Sequence, residues 1–208
     1  MAERADHTTL AALLREQAAR DPSAPYLTIG RAATITRGEI LAAATDLAGR
    51  LQAIGVGRGD TVATYMDTRR EVVECWFASA LLGAVFMPLN TALRGTFLAH
   101  QLRTSRPQVV FSDSSLWPHL LAAVAAEDDM IAISVDRVPA PDSGFRARLR
   151  PMDPADLERV DPVPVEADVA GRWNEPALVL FTSGTTGASK AVVLSHNYVA
   201  HMAEVYAS

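Results

Sequence analysis

Hydroxyl side chains, two glycines and one lysine crowd the stretch Thr182 to Lys190, Thr-Ser-Gly-Thr-Thr-Gly-Ala-Ser-Lys. These residue types suit a phosphate. Gly184 and Gly187 carry no Cβ, so the backbone can turn sharply and aim N–H groups at an anion. Thr182, Ser183, Thr185 and Thr186 add neutral donors, and Lys190 adds a compact positive charge. The Walker pattern, Gly-x-x-x-x-Gly-Lys-Ser/Thr, does not fit. Counted from Gly184, its second glycine falls on Ser189, and Lys190 is followed by Ala191 where a hydroxyl residue is required. A Walker loop also opens a helix, whereas Leu178 to Phe181 and Ala191 to Leu194 are short apolar runs. Strand, loop, strand is the expected setting. The competing account is a glycine-serine surface turn, which has little use for so many hydroxyls and a lysine between buried strands.

The elements around this loop alternate between helical and extended patterns, the signature of an α/β layer structure. Leu10, Leu13, Leu14 and Ala18 form one face of a first helix that stops near Asp21-Pro22. Tyr26 to Ile29 and Thr34 to Thr36 suggest a hairpin around Gly30. Thr36 and Glu39 then have capping-box spacing, and Gly55 should close the following helix in the left-handed conformation. Strands are expected at Thr61 to Met66, Ala84 to Leu89, Val109 to Ser112 and Met130 to Val135. Between them fall a helix whose Val72, Val73, Trp76, Phe77, Ala80 and Leu81 face a core, one near Arg94 to Arg103, and one over Leu116 to Ala126. The strands read as continuous apolar runs, which implies a mainly parallel sheet covered by helices on both faces, a layered αβα arrangement. Residues 136–176 are rich in proline and predict an extended, irregular connection. A boundary is therefore expected near 170: a first α/β subdomain over 1–170, and a second subdomain and second sheet begun by 171–208. Ser195 is placed to cap a last helix carrying Val199, Met202 and Tyr206.

Other chemistries fail on spacing. Gly55-Val-Gly-Arg-Gly-Asp60 follows a helix and has the wrong glycine intervals for a dinucleotide loop. His7, His100, His119, His196 and His201 include no His-x-x-x-His pair, and one cysteine supplies no Cys-x-x-Cys, so no metal site is expected. Ser183 lies in Thr-Ser-Gly, not in the Gly-x-Ser-x-Gly of a serine hydrolase. Cys75 sits in an apolar helical pattern beside Trp76 and Phe77 and reads as packing. The formal charge of −5 and pI near 5.5 carry no electrostatic footprint for nucleic acid or an anionic membrane. The opening residues have no apolar segment of a secretory signal, and the longest uncharged run, Cys75 to Thr91, is too short and broken to span a bilayer. Cytoplasm is the expected compartment.

The loop resembles the signature of the adenylate-forming (AMP-binding) superfamily of acyl-CoA synthetases, luciferases and peptide-synthetase adenylation domains, Thr-Ser-Gly-Thr-Thr-Gly-x-Pro-Lys-Gly. Ser189 stands where proline is usual, and Ala191 where glycine is usual. The segments Thr34 to Leu41, Gly55 to Ala63 and Gly83 to Asn90 are similar to earlier family segments in the same order. Pro88 to Gly95 looks most like ligases of the crotonobetaine/carnitine type, which would imply fatty acid or carnitine metabolism. The resemblance implies part of the large N-terminal domain of the adenylate-forming fold, with Lys190 as a catalytic residue. It implies a nucleotide site at Thr182, Ser183, Gly184, Thr185, Thr186, Gly187 and Lys190, and use of ATP, Mg²⁺ and CoA with a carboxylic acid. It also places His196 and Asn197 close to the nucleotide and acyl pockets, while a polar helix start explains the same two residues.

Further family motifs and the C-terminal domain are expected downstream of Ser208, so the chain reads as an N-terminal fragment of an ATP-dependent acyl-CoA ligase that is inactive alone. Two alternatives stand beside it: a non-catalytic nucleotide-binding or interaction module, and a fragment of a peptide-synthetase adenylation domain. Uncovered apolar surface on such a fragment predicts self-association. Light scattering across a concentration series should show mass rising with concentration; a constant monomer mass that excludes apolar dyes would overturn this expectation.

Overall fold

A computed structural model describes residues 8–30, 34–124, 129–136, 149–152, 154–165, 172–182 and 189–207. Helix α1 (Leu10–Arg20) is capped by the Thr9 hydroxyl, which accepts from the Ala12 N–H at 3.1 Å. It leads to a small antiparallel pair, β1 (Pro25–Leu27) and β2 (Ile35–Thr36). Helix α2 (Arg37–Ala53) opens with the expected capping box: the Glu39 N–H donates to Thr36 Oγ1, and the Thr36 N–H donates to Glu39 Oε2. It closes with the Gly55 N–H on the Gln52 carbonyl and the Val56 N–H on the Leu51 carbonyl. That crossed pair is a Schellman closure, and Gly55 takes the positive φ of +99° that it requires.

From here the chain alternates regularly. Strand β3 (Thr61–Tyr65) is followed by α3 (Arg70–Leu82), β4 (Val85–Pro88), α4 (Gly95–Ser105), β5 (Val109–Ser112), α5 (Trp117–Ala123) and β6 (Met130–Ser134). Each of these strands pairs in parallel with its sheet neighbours. Successive side chains point to opposite faces, and both faces are buried. Val62, Phe86, Val109, Phe111, Ile131 and Ile133 pack under α1, α2 and α3. Ala63, Tyr65, Val85, Met87, Val110 and Ala132 pack under α4 and α5. The layered αβα fold with a mainly parallel sheet is therefore as the sequence implies.

Two parts of the sheet differ from expectation. The proline-rich segment is not wholly irregular, since β7 (Leu149–Met152) pairs in parallel with β6 and a short helix α6 (Pro154–Glu158) follows. Pro151 is tolerated there because β7 is an outer strand, whose far side needs no N–H donor. The strands flanking the loop, β8 (Pro176–Thr182) and β9 (Lys190–Ser195), do not begin a separate sheet. Strand β8 joins β4 in parallel and β9 pairs antiparallel with β8, so the order is β7-β6-β5-β3-β4-β8-β9. Helix α7 (His196–Ala207) ends the described chain.

The connection after α6 is held on the back of α2. Arg50 donates to the carbonyls of Leu157, Glu158 and Val160, and the Val163 N–H donates to the Gly49 carbonyl. Gly49 is what permits that approach, because a Cβ there would lie 2.7 Å from the Val163 carbonyl oxygen and 2.8 Å from Pro162 Cβ. Alanine favours a helix over glycine by about 1 kcal/mol, yet Gly49→Ala should lower stability by about 1–3 kcal/mol through overpacking. Urea denaturation measures the sign, and a stabilised variant would contradict the packing.

Candidate functional site

In a parallel sheet all strands end at one edge, and open α/β sheets bind ligands outside that edge. Two polar features lie along it here. The first gathers at the ends of β3, β5 and β6, where the chain supplies Asp67, Asp113 and Asp136. They line a cleft of about 750 Å³ together with Arg69, Glu71 and Ser114.

Asp113 is almost fully buried and accepts the Asp67 N–H at 3.1 Å, the Ser115 hydroxyl at 2.6 Å and the Leu116 N–H at 3.0 Å. Burial pushes its carboxyl upward, but these hydrogen bonds outweigh it and hold the group below its ordinary range. The Ser114 N–H, at 2.9 Å, is the chief cause of a similar lowering at Asp136. Arg69 grips Glu71 with two parallel bonds of 2.9 Å and reaches Asp136 at 3.1 Å, so its charge is already matched. The guanidinium is held charged by Glu71 first. This cluster ties three strand ends together, and it leaves little cationic character for an anionic ligand.

The second feature is the loop between β8 and β9. Thr182 ends β8, Lys190 begins β9, and the two are paired across the strands, with the Thr182 hydroxyl 3.4 Å from the Lys190 carbonyl. Both side chains are exposed at the carboxyl edge. Ser183, Gly184, Thr185, Thr186 and Gly187 lie outside the described residues. Ser189 is held by α4: the Gln101 amide donates to its hydroxyl at 3.2 Å, and His100 Nε2 lies 3.1 Å from its carbonyl oxygen. Among the described residues no carboxylate pairs with Lys190, in contrast to Arg69. An unmatched cation beside a loop of donors can receive an anion; a matched one cannot do so cheaply.

His196 and Asn197 are placed elsewhere. Ser195 does cap α7, accepting the Tyr198 N–H at 3.2 Å. Because β9 runs antiparallel, Ser195 pairs with Pro176 at the start of β8, and the His196 N–H donates to the Glu175 carbonyl. The length of β8 separates that end from Thr182 by roughly 20 Å. The helix start, not proximity to the loop, accounts for these two residues. His196 is 2% exposed, and burial lowers its pKa.

Sequence reasoning missed the aspartate cluster and the Ser189 contacts. A signal for the first existed: Asp67, Asp113 and Asp136 each follow directly on an apolar strand. Gln101 and Ser189 are 88 residues apart and share no local pattern.

A mainly parallel α/β sheet thus carries an exposed Lys190, unmatched among the described residues, at its carboxyl edge, next in sequence to a run of hydroxyls and glycines. The AMP-binding enzyme family matches residues 14–207, and the chain belongs to it. It is 31% identical over 161 residues to crotonobetaine/carnitine–CoA ligase of Citrobacter koseri, covering 75% of this chain and 29% of that protein. Sulfoacetate–CoA ligase of Cupriavidus necator is 32% identical over 197 residues, covering 93% of this chain and 36% of that one. The chain thus spans about a third of these relatives' length. The solved acetoacetyl-CoA synthetase of Streptomyces lividans superposes with a TM-score of 0.73 at 24% identity, covering 91% of this chain and 30% of the other. An anthranilate CoA ligase solved with anthranoyl-AMP gives 0.73 at 20%, covering 92% and 35%. These likenesses are of fold, that of the N-terminal domain of acyl-CoA ligases.

The depressed carboxylates carry a pH consequence. Asp113 and Asp136 have folded-state pKa values below their unfolded values, so they add stability that is fully present above the unfolded range, about 3.9. That stability is lost as pH falls from there through the folded values. Asp113→Asn should flatten the acid limb of a stability-versus-pH curve measured by thermal melting. An acid limb as steep as in the parent protein would refute the assignment.

Proposed function

We propose that this chain supplies the triphosphate-holding part of an ATP-dependent, AMP-forming acyl-CoA ligase. In that reaction a carboxylate oxygen attacks the α-phosphate of ATP to form an acyl-adenylate and pyrophosphate. The thiol of CoA then displaces AMP to give the thioester. One observation carries the reading: Lys190, unmatched by any carboxylate among the described residues, stands opposite Thr182 at the mouth of the hydroxyl-glycine loop.

In this role Thr182, Ser183, Gly184, Thr185, Thr186, Gly187 and Lys190 hold the β- and γ-phosphates. The hydroxyls and backbone N–H groups donate hydrogen bonds, and the Lys190 ammonium neutralises charge that builds on pyrophosphate as it leaves. Mg²⁺ would arrive on the triphosphate, since it commonly keeps its waters and binds through substrate phosphates. No group of three or more metal-ligating side chains among the described residues offers it a dedicated cage. The two named relatives use different acids, crotonobetaine or carnitine in one and sulfoacetate in the other. Their shared chemistry supports a carboxylic acid as substrate, with carnitine metabolism as one version. Residues 171–208 are kept as the beginning of a second subdomain, apart from 1–170, on the resemblance alone, although β8 and β9 share the sheet.

Lys190→Ala should slow carboxylate-dependent ATP–pyrophosphate exchange by roughly 10²- to 10³-fold, the usual loss on removing one positioned electrostatic group. An unchanged exchange rate in a folded variant removes Lys190 from the mechanism.

A further inference from the structure

We propose that Gln101, assisted by His100, is a positioning residue for the phosphate loop: it fixes Ser189 and so sets the backbone from which Lys190 projects. The proposal rests on reading residues 182–190 as a triphosphate cradle. Gln101 is 5% exposed and shares the buried face of α4 with Leu98, Ala99 and Leu102. A polar amide among apolar side chains is costly unless its hydrogen bonds are made. Here the amide N–H reaches the Ser189 hydroxyl.

His100 strengthens the hold in a different way. The Ser189 carbonyl can only accept, so His100 Nε2 is the donor across their 3.1 Å contact. Neighbouring helical residues project about 100° apart, so Ser189 lies across α4 and is gripped through its side chain and its main chain together. The next residue, Lys190, is held from the other side by the Thr182 pairing. Only its side chain remains free to follow a ligand.

Helix α4 is itself anchored to the sheet. The fully buried Tyr65 of β3 donates its hydroxyl to the Leu93 carbonyl at 2.5 Å, and Arg94 donates to the same hydroxyl at 2.6 Å. The restraint therefore runs from the sheet through Tyr65 to α4, and from α4 to Ser189. At this position the resembled loop carries proline, whose ring fixes φ covalently. Serine gives up that restraint, and the two hydrogen bonds from α4 supply one in its place.

Hydrogen exchange at the Lys190 amide, read by NMR without nucleotide, tests the restraint apart from any activity. Gln101→Ala should speed it roughly 5- to 10-fold, the effect of losing one net hydrogen bond. Ser189→Ala should do the same, and keeps the test open if Gln101→Ala does not fold. Ser189→Pro, which also lacks the hydroxyl, should stay within about twofold of the parent protein because the ring restores the restraint. Unchanged exchange in Ser189→Ala, or equally fast exchange in Ser189→Pro, overturns the proposal. ATP affinity, measured by calorimetry on the same proteins, should fall in Ser189→Ala and recover in Ser189→Pro. If exchange follows the expected order while neither these variants nor Lys190→Ala alters ATP binding, the restraint stands and the triphosphate reading is what fails.

Discussion

Parallel register is the constraint on which the other features depend. A parallel strand cannot turn straight back, so each must be followed by a crossover that returns the chain to the starting edge. That requirement sends the carboxyl ends of β3, β5, β6 and β8 to one side of the molecule, although they are far apart in sequence. The register sets Tyr65, Ser112 and Ser134 level with one another. Asp67, Asp113 and Asp136 therefore meet within two residues of those positions. A slip of one residue would exchange Val62 for Ala63 between the faces and separate the three turns. Burial on both faces makes such a slip costly, and the polar edge inherits its precision from the apolar core.

Charge is handled in opposite ways at the two places along that edge. At the ends of β3, β5 and β6 the carboxylates of Asp113 and Asp136 are met by N–H groups, a hydroxyl and Arg69. Such a cluster orders turns. At the β8–β9 loop Lys190 is exposed and unmatched among the described residues, while the backbone around it is held by Thr182 and α4. A held backbone with a free cationic side chain loses little entropy when an anion arrives. Strand β4 lies between β3 and β8, so the aspartate cluster and the open loop stand at separate strand ends.

What could be read from the sequence was local. The capping box at Thr36 and Glu39, the left-handed closure at Gly55 and the Ser195 cap each involve residues a few positions apart, and all three form as spaced. The parallel strands were legible because continuous apolar runs mean burial on both faces. Helix α3 was half legible. Its expected stripe includes Val72, Val73 and Trp76, which are only partly buried, whereas Ala78, Ser79 and Leu82 are buried. A helix covered by α1 and α2 as well as the sheet has no single apolar side for periodicity to report. Strand β7 was hidden by Pro151, which argues against a strand until its outer position is known. The attachment of β8 to β4, the Arg69–Asp136 bridge and the Gln101–Ser189 bond all join distant parts of the chain, and no window of sequence contains them.

The antiparallel turn at β9 decides where the loop must find its positive charge. A Walker-type loop runs directly into a helix, whose N-terminal N–H groups and dipole favour phosphate. Here β9 carries the chain back across the sheet before α7 begins, with Ser195 level with Pro176 at the opposite edge. The dipole of α7 acts only within about its first turn, so it has no reach over the roughly 20 Å of β8. Helix α4 meets Ser189 through the side chains of its middle residues, not through its N-terminus. On the proposed reading, attraction for a triphosphate comes from backbone N–H groups, hydroxyls and the Lys190 ammonium, and the lysine alone in that set carries a full charge. Its backbone placement then matters more than it would beside a helix dipole, which is why a bond from α4 to the residue just before it has consequences for the whole site.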